Sequence, residues 1–167
     1  YAFRRGTFFP FVGGWSWALG DAATRKPYFK SVREIGFDGI ELGLDSFGDM
    51  EATKHSAREV SKELADAGVP CVALRAGGGL CQPNVADRNR RRLEKAVQVA
   101  EWVGAEIVNT ALATPPRNRA LGSTGNGAPI APGSSQLATE EDFIRTATAL
   151  RKAGQMAGES GVNISIE

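Results

Sequence analysis

Four polar side chains, Glu41, Arg75, Asn109 and Glu167, fall within or at the ends of short apolar runs that recur along the chain. Glu41 stands in Gly36-Phe-Asp-Gly-Ile-Glu-Leu, where a helix stops on glycine and an apolar strand begins at once. A carboxylate inside such a strand is costly unless it is paired, solvated or bound to something. Arg75, near the end of the next apolar run, is its candidate partner. Two chemistries are open to Glu41: a hydrogen bond to a substrate hydroxyl, or a structural pairing with Arg75 or backbone that takes no part in turnover. The structural pairing is the stronger reading. Asn109 could donate to a substrate oxygen or cap its strand end. Trp15 and Trp17 alternate onto one face. Their rings suit the apolar C–H surface of a small polyol as well as they suit core packing.

These residues need elements that hold them. Four segments share one rhythm, an amphipathic stretch closed by Gly36, Gly68, Gly104 or Gly161 and followed by a β-rich run. Glycine just past a helix takes the left-handed cap without steric cost. The apolar stripes are Tyr28, Val32 and Ile35; then Val60, Leu64 and Ala67; then Leu93, Ala96, Val97, Ala100 and Val103; and last Phe143, Ala147, Leu150, Ala153 and Ala157. Thr139 and Asp142 have capping-box spacing at the start of the fourth helix. An earlier apolar run, Thr7–Trp17, reads as the first strand. Strands alternating with helices of this length imply parallel pairing with right-handed crossovers.

The choice is then between an open doubly wound sheet and part of a (β/α)8 barrel. The first strand-to-helix turn lacks the glycine fingerprint of a dinucleotide fold. A full barrel takes about 250 residues, so 167 residues predict a partial one, with about five strands and four helices in a single domain over 1–167. Its two edge strands are a pairing liability, so the isolated chain is expected to associate with a second half-barrel or with itself. Thr110–Ala138, rich in Gly, Pro and Ser, is expected to be a long loop over the mouth. Gly122-Ser-Thr-Gly-Asn-Gly within it is a weak nucleotide signal, since no Lys-Ser/Thr follows.

Composition narrows the classes. A net charge of +1 recruits neither nucleic acid nor an anionic membrane. No apolar run reaches the length of a transmembrane helix. Cys71 and Cys81 are too few for a disulfide framework and read as reduced thiols of a cytoplasmic protein. His55 and the basic run Arg88-Asn-Arg-Arg-Arg read as solvated surface.

Ile35-Gly-Phe-Asp-Gly-Ile-Glu-Leu, "AVQVAEWVGAEIV" over 96–108 and Ala157-Gly-Glu-Ser-Gly-Val-Asn-Ile-Ser-Ile-Glu167, in this order and spacing, resemble the sugar isomerase/epimerase family with the xylose-isomerase-like barrel. The resemblance covers most of the chain and the N-terminal half of that fold. It implies proton transfer at a carbon next to a sugar carbonyl, with a divalent metal (Mn2+, Mg2+, Co2+ or Zn2+) and a sugar or keto-sugar substrate. It makes Glu167 a metal ligand and catalytic acid/base; a solvated terminal Glu is the alternative. The family's other ligands, an Asp, a His and a second Glu, come from strands outside these runs, so the chain alone is expected to be inactive. A lyase, dehydratase or keto-glycoside-cleaving enzyme on the same barrel is the close alternative, and a non-catalytic half-barrel subunit the more distant one. Related apurinic endonucleases place histidines where this chain has Arg75–Gly77 and Asn109–Thr110, which argues against a trinuclear zinc nuclease.

Overall fold

The structure, a computed structural model, describes residues 7–8, 21–112 and 135–167. In chain order the elements are β1 (Thr7–Phe8), α1 (Ala22–Ile35), β2 (Gly39–Gly43), α2 (Lys54–Ala67), β3 (Cys71–Arg75), α3 (Ala86–Val103), β4 (Ile107–Thr110), α4 (Glu140–Glu159) and β5 (Asn163–Ile166). The five strands are parallel and ordered β1-β2-β3-β4-β5. A doubly wound sheet reverses its strand order at a switch point. Here every strand pairs with its sequence neighbour, and each helix packs on the next. That is the winding of a (β/α)8 barrel, and the chain forms part of one.

Glycine closes α1, α2 and α3 in the left-handed conformation, at Gly36 (φ 104°), Gly68 (φ 69°) and Gly104 (φ 72°). At the fourth helix the cap is Ser160, and the left-handed residue is Gly161, one position later. The capping box of Thr139 and Asp142 is present, and a second one, Thr53 with Ser56, starts α2.

Two stripes differ from the sequence reading. In α1 the buried face is Arg25, Phe29 and Val32, whereas Ile35 is 71% exposed. The guanidinium of Arg25 reaches Glu63 on α2 through Nε at 2.7 Å and Nη2 at 3.1 Å. Both side chains are buried, so a bidentate pair joins these helices beside the apolar core they share. In α4, Phe143 and Ala147 face outward; the buried apolar positions are Ala149, Ala153 and Ala157, small enough for close approach to α3. On this packing Phe29→Ala should cost about 3–5 kcal/mol and Ile35→Ala less than about 0.5 kcal/mol in urea denaturation. The reverse order would restore the stripe through Ile35.

Side-chain alternation gives the strands two faces. Leu42, Leu74, Val108 and Ile164 are register partners on the helix side, and the first three are fully buried. Gly43, Arg75, Asn109 and Ser165 form a layer on the opposite face, with Glu41 two residues before Gly43 and Glu167 two residues beyond Ser165. The ladder slips between Ile40 and Glu41, where Ile40 faces Cys71 and Glu41 faces Ala73. Such irregularities re-aim the side chain they carry.

Candidate active site

Glu41 thus lies one layer below Arg75 and Asn109, and Glu167 one layer above. Arg75 spans all three. Its Nε donates to Glu41 Oε1 at 2.9 Å and its Nη2 to Glu167 Oε1 at 2.9 Å. Asn109 Nδ2 donates to Glu41 Oε2, also at 2.9 Å. The neighbouring positions in the register are Gly43, Ala73 and Ser165, whose small side chains leave the long ones room. The cluster is sealed below and open above: the Glu41 side chain is 4% exposed, that of Arg75 33% and that of Glu167 46%.

Burial alone would lower the pKa of Arg75. The hydrogen bond and charge of Glu41, reinforced by Glu167, outweigh it and raise the pKa above the usual guanidinium value. Arg75 is therefore a permanent cation between two carboxylates, and the trio carries one excess negative charge at its open end.

The pairing expected between Glu41 and Arg75 is present. The link from Arg75 to Glu167 was not expected. Asn109 is buried, and its amide N–H donates to Glu41. An acceptor such as Glu41 fixes which end of the amide faces it. Its Oδ1 is buried and has no hydrogen-bond partner among the described residues. Trp15, Trp17 and most of the Thr110–Ala138 loop lie outside the described residues.

The mouth is braced from behind. Arg92 on α3 donates from Nε to Asp49 Oδ1 at 2.8 Å and lies 3.5 Å from Asp45. Both acids belong to the turns that follow β2. Arg90 pairs with Glu94 at 2.7 Å and with Asp87 at 3.6 Å. The basic run is therefore partly structural, which corrects the reading of it as a solvated face. His55 is exposed, as expected. Cys71 is buried, and burial pushes its thiol up to about 12, so it is an inert core residue. A groove of about 490 Å³ runs between α1 and α2, lined by Lys30, Arg33, Glu34 and Asp66 among others; it lies on the helical layer, away from the strand ends.

A divalent cation takes about six oxygen ligands. Among the described residues no three His, Cys, Asp or Glu side chains come together in a way that could hold one. Glu41 is fully engaged, and a guanidinium stands between the two carboxylates. Glu167 Oε2 is the one carboxylate oxygen of the trio without a partner among the described residues. These residues do not by themselves fit a metal site.

Known proteins bear the architecture out. Solved structures with the same fold include a D-psicose 3-epimerase determined with D-fructose (16% identity, TM-score 0.64, 96% of this chain and 50% of that one). A xylose isomerase-like TIM barrel protein from Mycobacterium smegmatis in complex with magnesium aligns at 18% identity and TM-score 0.64, over 89% of this chain and 48% of that one. The 3-keto-D-glucoside 4-epimerase of E. coli aligns at 17% identity and TM-score 0.58, over 84% and 49%. The chain thus spans about half the length of these proteins. No curated protein matches it. Among the described residues no helix is long and apolar enough to cross a membrane. The family described as xylose isomerase-like TIM barrel matches residues 29–167. This chain belongs to that family.

Proposed function

We propose that the chain is the N-terminal part of a sugar isomerase or epimerase that moves a proton on a carbon next to the carbonyl of a keto-sugar. The observation that carries this reading is the Glu41–Arg75–Glu167 cluster at the C-terminal ends of β2, β3 and β5, where barrels carry their chemistry. Glu167 is the exposed carboxylate and takes and returns the proton. Arg75 holds it in place. Glu41, buried and held in turn by the Asn109 amide, holds Arg75 rather than the substrate. Substrate hydroxyls meet an acceptor here, Glu167 Oε2 at the open end of the cluster, which suits a neutral polyol. Trp15 and Trp17 are proposed to line the same pocket.

The cofactor proposed for the whole enzyme is a divalent cation, Mn2+, Mg2+, Co2+ or Zn2+, with Glu167 as one of its ligands. A solved structure with the same fold is a xylose isomerase-like barrel protein in complex with magnesium, which supports this choice. β1 and β5 are the edges of the described sheet, and a second half-barrel or a further copy is the partner proposed to cover them.

Solvent exchange tests the reaction. The native protein, with whatever covers those edges, is incubated in D2O with Mn2+ or Mg2+ and D-fructose, D-psicose or D-tagatose. Deuterium should appear at the carbon next to the carbonyl of at least one sugar, and the chain alone should give none. Absence of exchange with every sugar in the folded, metal-supplemented native protein would overturn the reading and favour a non-catalytic scaffold.

A further inference from the structure

We infer that Thr110 is the positioning residue that holds Arg75 against Glu167. Thr110 closes β4 and is fully buried. Its carbonyl accepts the amide N–H of Glu167 at 3.0 Å. Its hydroxyl Oγ1 accepts the amide N–H of Gly78, three residues past Arg75, at 3.3 Å. One residue therefore grips the backbone on both sides of the Arg75–Glu167 ion pair. The contacts close a ring: Thr110 carbonyl to Glu167 amide, Glu167 Oε1 to Arg75 Nη2, then along the chain from Arg75 to Gly78 and back to Thr110 Oγ1.

The loop leaving Arg75 needs such an anchor. Gly77, Gly78 and Gly79 all have positive φ, at 90°, 88° and 57°. Glycine adopts these conformations freely, but three in succession give the segment little stiffness of its own. The loop is seated on Thr110: a Cβ added at Gly77 would lie 2.5 Å from Thr110 Oγ1 and 3.4 Å from its Cβ. Directly before it, the Ala76 amide donates to the Asn109 carbonyl at 3.1 Å and continues the ladder. The backbone leaving Arg75 is thus held by the ladder at Ala76 and by the Thr110 hydroxyl at Gly78, before the chain re-enters the core at Leu80. Gly78 is only half-buried, so water can replace the hydroxyl there without unfolding the sheet.

The inference deepens the proposed function, but its first readout is independent of activity. Thr110→Val removes the acceptor and keeps the shape. By NMR, hydrogen exchange at the Gly78 amide and at Arg75 Nε–H should both accelerate about tenfold, the scale of one hydrogen bond. Thr110→Ser, which keeps the hydroxyl, should restore both rates, and the urea midpoint should move little. Gly77→Ala pushes the loop from the other side and should give the same acceleration, which covers the case of a valine variant that folds poorly. In the native protein Thr110→Val should lower kcat for proton exchange about tenfold, and add nothing in an Arg75→Met background. Faster exchange at Gly78 with Arg75 Nε–H unchanged would overturn the inference, as would losses that add in the double variant. A wild type that exchanges no sugar proton would sink the proposed function alone, leaving the Nε–H rates to decide the role of Thr110.

Discussion

Arg75→Met is expected to destabilise the fold by about 3 kcal/mol in urea or thermal denaturation, because it leaves the carboxylate of Glu41 buried without a counterion. The penalty belongs to the partner left behind. Glu41 is 4% exposed and cannot recover its hydration, whereas Arg75, one-third exposed, brings a pair already partly screened by water. Asn109 Nδ2 still donates to Glu41 in the variant and keeps the loss at the low end of the range for broken buried pairs. Adding Glu41→Gln should return most of the stability, since a neutral amide can accept from Asn109 and needs no cation. A double variant no more stable than Arg75→Met alone would mean that the guanidinium contributes by packing rather than by charge.

Glu167→Gln should lower proton exchange into the sugar by about 10²-fold or more in the native protein, the scale of losing a positioned acid–base group. The amide keeps the shape and can still accept from Arg75 Nη2, so folding should be unaffected. Calorimetric titration with Mn2+ separates two roles: weaker binding in the variant means that the carboxylate is also a ligand, and equal binding confines it to proton transfer. Normal turnover by Glu167→Gln would remove the candidate site altogether.

Much of this was legible in the sequence. The glycine-closed helices followed by apolar runs point to parallel βα units, and the pairing of Glu41 with Arg75 follows from the cost of an isolated carboxylate in a strand. The reach of Arg75 to Glu167 was not legible, because it depends on register across β3, β4 and β5. Arg75, Asn109 and Ser165 share a layer there and Glu167 lies two residues beyond it, which no residue type announces. Thr110 was passed over although its signal was present, three consecutive glycines starting two residues past Arg75. In α1 the stripes 28/32/35 and 25/29/32 share Val32, and the charge of Arg25 hid the buried one. It was buried by Glu63, a partner 38 residues away that local periodicity cannot see. Phe143 misled in the same way, since the small face of alanines behind it carries a weaker apolar signal than its own ring.

The strand order has a consequence for how the chain is made. From β2 onward each described strand lies beside the one synthesised just before it, so it meets a partner as soon as it emerges. A ribosome adds about 5–20 residues per second, and each strand–helix unit therefore emerges over a few seconds, far longer than a short loop takes to close. At each stage the nascent sheet offers a growing edge opposite β1, and the next unit is laid against it. Folding can follow reading order.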